Sequence, residues 1–158
     1  SPDRPNKRGK TKMEVMRVCS SQIGVREKQL NAGPEVEKYL RYVNLSKGNP
    51  WCAAFVAWLL RKSCDALQVT SPLLGHNDLM SDTKWLQAAK LVQKVTPYPK
   101  PGDVGLLGDS PDNLRHLVLI ANVVDDKIFT REGNSRGQRV SALVRDIREV
   151  QWSIDLSP

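Results

Sequence analysis

A cysteine at the start of an apolar segment is the residue of this chain best suited to covalent chemistry. Cys52 precedes a segment that is apolar from Ala53 to Leu60, which predicts a buried helix. Asn49 is predicted as the N-cap of this helix and Pro50 as its first residue. Cys52 then lies in the first turn, where unpaired backbone N–H groups and the helix dipole favour negative charge. Because the thiolate is the nucleophilic form of cysteine, Cys52 is a candidate nucleophile.

Two histidines could serve as its base. His116 begins an apolar run over residues 117–121, which predicts a buried strand that would hold the imidazole rigidly. His76 lies in Leu74–Asp78, a segment with the composition of a loop. A Cys–His pair is the usual route to an activated thiol. We therefore expect His116, rather than His76, to be the base.

A base also needs an acceptor that orients its ring. Glu132 and Asn134 follow a predicted strand over residues 127–130, which a turn at Asp125-Asp126 connects to the strand of His116. In an antiparallel hairpin the end of the second strand lies beside the start of the first. A spacing of two residues places Glu132 and Asn134 on one face. Either side chain could accept a hydrogen bond from His116.

The remaining pattern places helices before strands, which predicts an α+β domain with the nucleophile helix packed on an antiparallel sheet. The predicted helices are residues 13–23, 34–43, 50 to about 63, and 82–89. The predicted strands are residues 103–107, 116–124, 127–131, 139–144 and 150–154.

Charge is unevenly distributed along the 158 residues. Residues 1–12 contain five basic side chains and one acidic side chain, so they carry +4 of the net charge of +7. We expect residues 1–12 to form a basic flexible tail and residues 13–158 to form a single catalytic domain. No basic stripe is interleaved with aromatic residues, so nucleic acid is not an expected partner. No apolar run approaches the roughly 18 residues that span a bilayer, so no membrane-spanning segment is expected. We also expect the protein to be a monomer.

The chain has three cysteines, an odd number. If Cys52 is the nucleophile it must be free, and Cys19 and Cys64 either form a disulfide or are buried as small apolar residues. No spacing of cysteines and histidines suggests a zinc site, and the aspartates do not follow the EF-hand pattern. We expect neither a metal nor another cofactor.

The order of these residues resembles the CHAP family, the cysteine, histidine-dependent amidohydrolases and peptidases. These are papain-like enzymes that cut bacterial peptidoglycan. Arg115 and Leu117 depart from the family, whose members often have Gly or Ala before the histidine and Val-Gly after it. The resemblance covers roughly residues 13–152, and its matching segments are residues 24–27, 31–34, 49–56, 101–104, 116–118 and 132–134.

The resemblance implies a hydrolase that cleaves an amide bond of the murein stem or crossbridge in the cell envelope, either periplasmic or secreted. Its catalytic residues would be Cys52, His116 and either Glu132 or Asn134. Glu132 is preferred because a carboxylate also stabilises an imidazolium. The Cys52 N–H and Asn49 would form the oxyanion hole, and Trp51 would line the substrate groove.

Two other classes of function fit the same sequence. One is a catalytically silent module that binds the cell wall and has kept the fold. The other is an assembly protein of a phage tail or a secretion apparatus, which would need a large exposed apolar patch. The first predicts murein binding without the release of new amines.

Overall fold

The computed structural model describes residues 5–73, 78–135 and 138–158. Within that part of the chain, four α-helices precede and flank a six-stranded antiparallel sheet of strand order β1-β6-β2-β3-β4-β5. The predicted α+β class is therefore confirmed. The helices are α1 (Pro5–Ser20), α2 (Pro34–Tyr42), α3 (Cys52–Leu67) and α4 (Asp82–Leu91). The strands are β1 (Val95–Thr96), β2 (Val104–Ser110), β3 (Asn113–Val124), β4 (Lys127–Ser135), β5 (Arg139–Asp146) and β6 (Val150–Ile154).

Helix α3 lies at the centre of the molecule. It packs against α1 and α2 and against strands β3 and β4. Its residues Ala53, Phe55 and Leu60 are buried, as are most of the residues between them. A helix that is apolar nearly all round must be covered on every side, and α3 achieves this by lying between the other helices and the sheet.

The start of α3 differs from the sequence prediction. The helix begins at Cys52, with Trp51 at the N-cap and no side-chain capping bond. Asn49 instead donates from Nδ2 to the carbonyl oxygen of Ser46, at 2.8 Å, so the predicted cap at Asn49 and first residue at Pro50 are wrong. The reason is local: the Asn49 amide completes its own turn with Ser46. Cys52 thereby becomes the first helical residue.

Helix α1 also begins earlier than predicted, at Pro5 rather than Met13. Thr11 is fully buried, and Lys12 forms ion pairs with Asp103 at 2.9 Å and Asp155 at 3.0 Å. Asp103 is fully buried and also accepts hydrogen bonds from the Lys100 N–H and the Ser153 hydroxyl. Residues 5–12 are helical rather than irregular, and contacts distant in sequence anchor the end of this segment.

The turn before β2 leaves space for the side chain of Lys12. Gly102 has φ +86, and a Cβ atom there would lie 2.7 Å from the Cβ of Lys12. Only glycine adopts this backbone conformation readily and leaves that space open. The Pro101-Gly102-Asp103 segment thus holds α1 against the sheet.

Replacing Lys12 by methionine is expected to lower the free energy of unfolding by about 1–3 kcal/mol, because buried Asp103 loses its cationic partner. Urea denaturation followed by circular dichroism measures the change. Lys10→Met is the matched control, since Lys10 is an exposed residue of the same helix. Equal stability of the two variants would show that α1 is not held by this ion pair.

The sequence left open whether Cys19 and Cys64 form a disulfide. Cys19 and Cys64 are both buried and free, so they are small buried residues rather than a disulfide. Among the residues that the structure describes, no helix has the length and apolarity needed to cross a membrane.

Candidate active site

Cys52 lies in the wall of an open groove of about 420 Å³. Its side chain is half-buried, and as the first residue of α3 it sits among backbone N–H groups that have no helical acceptor. The groove is also lined by Asn49, Pro50, Asp82, Leu114 and Arg115. The thiol is therefore accessible to a ligand and lies at the positive end of the helix dipole.

His116 stands on β3, opposite Leu107 of β2. Its Nε2 atom lies 2.8 Å from Oε1 of Glu132, and its ring interacts with the Cys52 side chain, which raises the pKa of His116. Because Nε2 is occupied by Glu132, Nδ1 is the ring nitrogen left for the thiol. The imidazole thus connects the cysteine of α3 to the carboxylate of β4.

Glu132 is fully buried and has three partners. Besides His116, it pairs with Arg145 of β5 through two bonds: Nε to Oε2 at 2.6 Å, and Nη2 to Oε1 at 2.8 Å. The Thr130 hydroxyl donates to Oε2 as well. A bidentate guanidinium pair fixes the plane of a carboxylate. The carboxylate that contacts His116 is consequently held on both of its oxygens.

These contacts shift two pKa values in opposite directions. Burial by itself would lower the pKa of His116, but hydrogen bonds and charge interactions with Cys52 and Glu132 outweigh it and raise the pKa to about 9. Burial would raise the pKa of Glu132, but hydrogen bonds with Arg145, His116 and Thr130 lower it to about 2. At neutral pH the pair is therefore an imidazolium and a carboxylate.

The hairpin explains how residues 16 positions apart come together. Strands β3 and β4 pair from Val124–Lys127 to Leu119–Arg131 across the turn at Asp125-Asp126. The end of β4 then lies beside the part of β3 that carries His116. Gly133 allows β4 to approach α3, because a Cβ atom there would lie 2.9 Å from the Cβ of Phe55.

Asn134, the alternative acceptor, is placed differently. It has φ +56 and lies where the pairing of β4 with β5 is irregular, between Glu132 and Ser135. Among the described contacts of His116, the acceptor is Glu132 and not Asn134. The left-handed backbone at Asn134 interrupts the alternation that would have placed it on the face of Glu132.

Trp51 does not line the groove, contrary to the prediction. Its side chain is fully buried, and its indole N–H donates to Oε2 of Glu27 at 3.0 Å. Its ring packs on Tyr39, with centroids 5.7 Å apart, and on Phe55. An aromatic ring with a buried N–H needs an acceptor in the core, and Glu27 supplies it. Asn49 does lie on the groove wall, with its amide bonded to Ser46.

Three residues near the site were not predicted from the sequence: Thr130, Arg145 and Asp82. Thr130 shares a strand face with Glu132 because it stands two positions earlier. Predicting the position of Arg145 would have required knowledge of how β4 pairs with β5. In that pairing Thr130 opposes Leu143 and Ile128 opposes Arg145. Asp82 belongs to a different helix, and no local pattern places it at the groove.

His76 lies outside the described residues. Within residues 5–73, 78–135 and 138–158, no three side chains among His, Cys, Asp and Glu are grouped as metal ligands.

The fold resembles solved structures more clearly than the sequence resembles known proteins. The crystal structure of Ly7917 matches with a TM-score of 0.58 and 16% identity over 92% of this chain and 62% of that chain. The structure of Ly7917 with the hydrolyzing product of MDP matches with a TM-score of 0.52 and 17% identity, over 92% and 63%. The chain thus spans less than two thirds of the length of either. No protein-family model and no curated protein matches the chain.

Proposed function

We propose that the protein is a cysteine hydrolase that cleaves an amide bond in the stem or crossbridge of peptidoglycan. The observation that carries this proposal is one arrangement: a half-buried cysteine at a helix start, beside a histidine held by a buried carboxylate, in an open groove. Attack on a carbonyl carbon needs the thiolate, and His116 is the group beside Cys52 that can hold the proton of the thiol.

The reaction proceeds in two steps. The Cys52 sulfur attacks the amide carbonyl carbon, the carbon–nitrogen bond breaks, and His116 gives its proton to the leaving amine. A water molecule then loses a proton to the neutral imidazole and attacks the thioester, which releases a carboxylic acid and restores the thiolate. Glu132 keeps the ring in place and stabilises its charged form through both steps.

The oxyanion formed in each step needs hydrogen-bond donors. The Cys52 N–H is in the right place for one, because it is the first N–H of α3 and has no helical acceptor. Asn49 is the proposed second donor. It lies on the same groove wall, and its amide would have to exchange the Ser46 carbonyl for the oxyanion.

Two observations support peptidoglycan as the substrate. The first is the resemblance to the CHAP family over the segments that contain Cys52, His116 and Glu132. The second is that Ly7917, which shares the fold, has been crystallised with the hydrolyzing product of MDP, a peptidoglycan fragment. With this substrate the protein acts in the cell envelope, periplasmic or secreted, as a monomer. The same chemistry serves an amidase at the glycan–peptide junction or an endopeptidase within the peptides.

Digestion of purified peptidoglycan, with products identified by mass spectrometry, tests the proposal. The untreated protein is expected to produce new amine and carboxyl termini, and their masses identify the bond. Protein treated with iodoacetamide under native conditions is the comparator. It is expected to carry one carbamidomethyl group, at Cys52, and to produce no new termini. Cys19 and Cys64 should remain unlabelled because they are 0% and 2% exposed.

The absence of new termini from several wall types with untreated, folded protein would contradict the proposal and favour a silent binder or an assembly protein. Full activity after stoichiometric labelling of Cys52 would exclude the thiol mechanism. Co-sedimentation with insoluble peptidoglycan separates the silent binder from the assembly protein.

A further inference from the structure

Asp82 forms part of the groove wall that contains Cys52. It is the first residue of α4, directly after Ser81, whose hydroxyl caps the helix by accepting from the Lys84 N–H at 3.2 Å. The capping role is thus filled by Ser81. The half-buried Asp82 carboxylate remains available to the groove, on an element separate from those that carry Cys52, His116 and Glu132.

In the described part of the chain, no lysine or arginine side chain forms an ion pair with the Asp82 carboxylate. Arg115, the other charged side chain of the wall, instead pairs with Asp109 at 3.1 Å. Burial raises the pKa of Asp82, and the positive charge of His116 acts in the opposite direction. A partly desolvated anion of this kind is stabilised when a ligand supplies a positive charge.

The rest of the wall is suited to the uncharged part of such a ligand. Leu45, Ala53, Met80 and Leu114 give the groove an apolar lining close to Asp82. A primary ammonium group on a short methylene chain combines these two properties, since its stem packs on apolar surface while its head reaches a polar partner. A neutral or anionic side chain would supply no positive charge to the Asp82 carboxylate.

We propose that Asp82 is a specificity-determining residue that selects peptidoglycan strands bearing a free primary ammonium beside the scissile amide. This inference rests on the proposed function. Asp82 contacts the substrate amine through a charge-assisted hydrogen bond and takes no part in the attack by Cys52.

The experiment compares two forms of one peptidoglycan preparation, with its primary amines either free or acetylated by acetic anhydride. The rate of appearance of new termini at limiting substrate measures kcat/KM for wild type, Asp82→Asn and Asp112→Asn. Wild type is expected to prefer the free-amine form by about tenfold or more. Asp82→Asn should lose this preference through a higher KM for the free-amine form. Asp112→Asn removes the same charge from an exposed residue outside the groove and should keep the preference.

Equal cleavage of both peptidoglycan forms by wild type would overturn the inference about Asp82 but not the proposed hydrolase function. This comparison needs no variant. A preference that persists in Asp82→Asn would also overturn it, because acetylation would then act by size rather than by charge. An equal loss on both forms in Asp82→Asn would assign Asp82 to the stability of α4 or to the charge on His116. Failure of wild type to cleave either form would reject the proposed function itself, and this inference with it.

Discussion

Replacing Cys52 by serine is expected to lower the rate of peptidoglycan cleavage by at least about 10³-fold, the scale seen when a covalent nucleophile is removed. A hydroxyl does not form the anion that a neighbouring imidazolium can stabilise at neutral pH. The exchange of sulfur for oxygen is nearly isosteric, and Cys52 is half-buried at the first position of α3. The thermal unfolding midpoint should therefore change little.

Initial rates of new amine formation, with unfolding followed by circular dichroism, measure both effects. Cys64→Ala is the matched control, because Cys64 belongs to the same helix but is buried away from the groove. This control should keep the wild-type rate and lose some stability. Undiminished cleavage by Cys52→Ser would exclude Cys52 as the nucleophile, whatever the rest of the site suggests.

Replacing Glu132 by glutamine is expected to lower turnover by about 10²–10⁴-fold, the range that general acid–base catalysis contributes. It should also change the pH dependence. In the wild type the His116 pKa is raised to about 9, so turnover should fall as the pH rises through about 9 and the imidazolium loses its proton. Glutamine has no negative charge to stabilise the imidazolium, so this fall should move to lower pH.

Two control variants make this result specific. Glu149→Gln changes a carboxylate that also bonds Arg145, at 3.1 Å, without contacting His116, and it should leave the pH dependence in place. Asn134→Ala removes the alternative acceptor and should reduce turnover only slightly. If Asn134→Ala shifted the profile and Glu132→Gln did not, the assignment of Glu132 as the orienting residue would be reversed.

The bonds around Glu132 show why the Glu132–His116 pair is expected to be sensitive to substitution of Glu132. Arg145 compensates the charge of the buried Glu132 carboxylate, and Thr130 helps to orient it. That carboxylate in turn contacts His116. A buried charge that loses one partner is destabilised by several kcal/mol. The geometry of the proposed site therefore depends on Arg145 of β5 and on Thr130 of β4, although neither residue lines the groove.

Local sequence predicted the four helices and five of the six described strands, without β1, and it identified Cys52, His116 and Glu132 as residues that could do chemistry. The apolar run after Cys52, the apolar run after His116 and the two-residue turn at Asp125-Asp126 are short-range patterns, and each predicted an element found in the structure. The antiparallel hairpin followed from that turn, and it placed Glu132 near His116 because strand geometry is regular.

Tertiary structure decided everything that depends on contacts distant in the chain. Trp51 packs on Tyr39 and bonds Glu27 in the core, and α1 is held to the sheet where Lys12 binds buried Asp103. Arg145 reaches Glu132 only through the register of β4 with β5, and Asp82 lines the same groove as Cys52 only because the fold brings the start of α4 near the start of α3. Helix and strand periods act over a few residues, whereas these partners are chosen by packing and by the need to compensate buried charge.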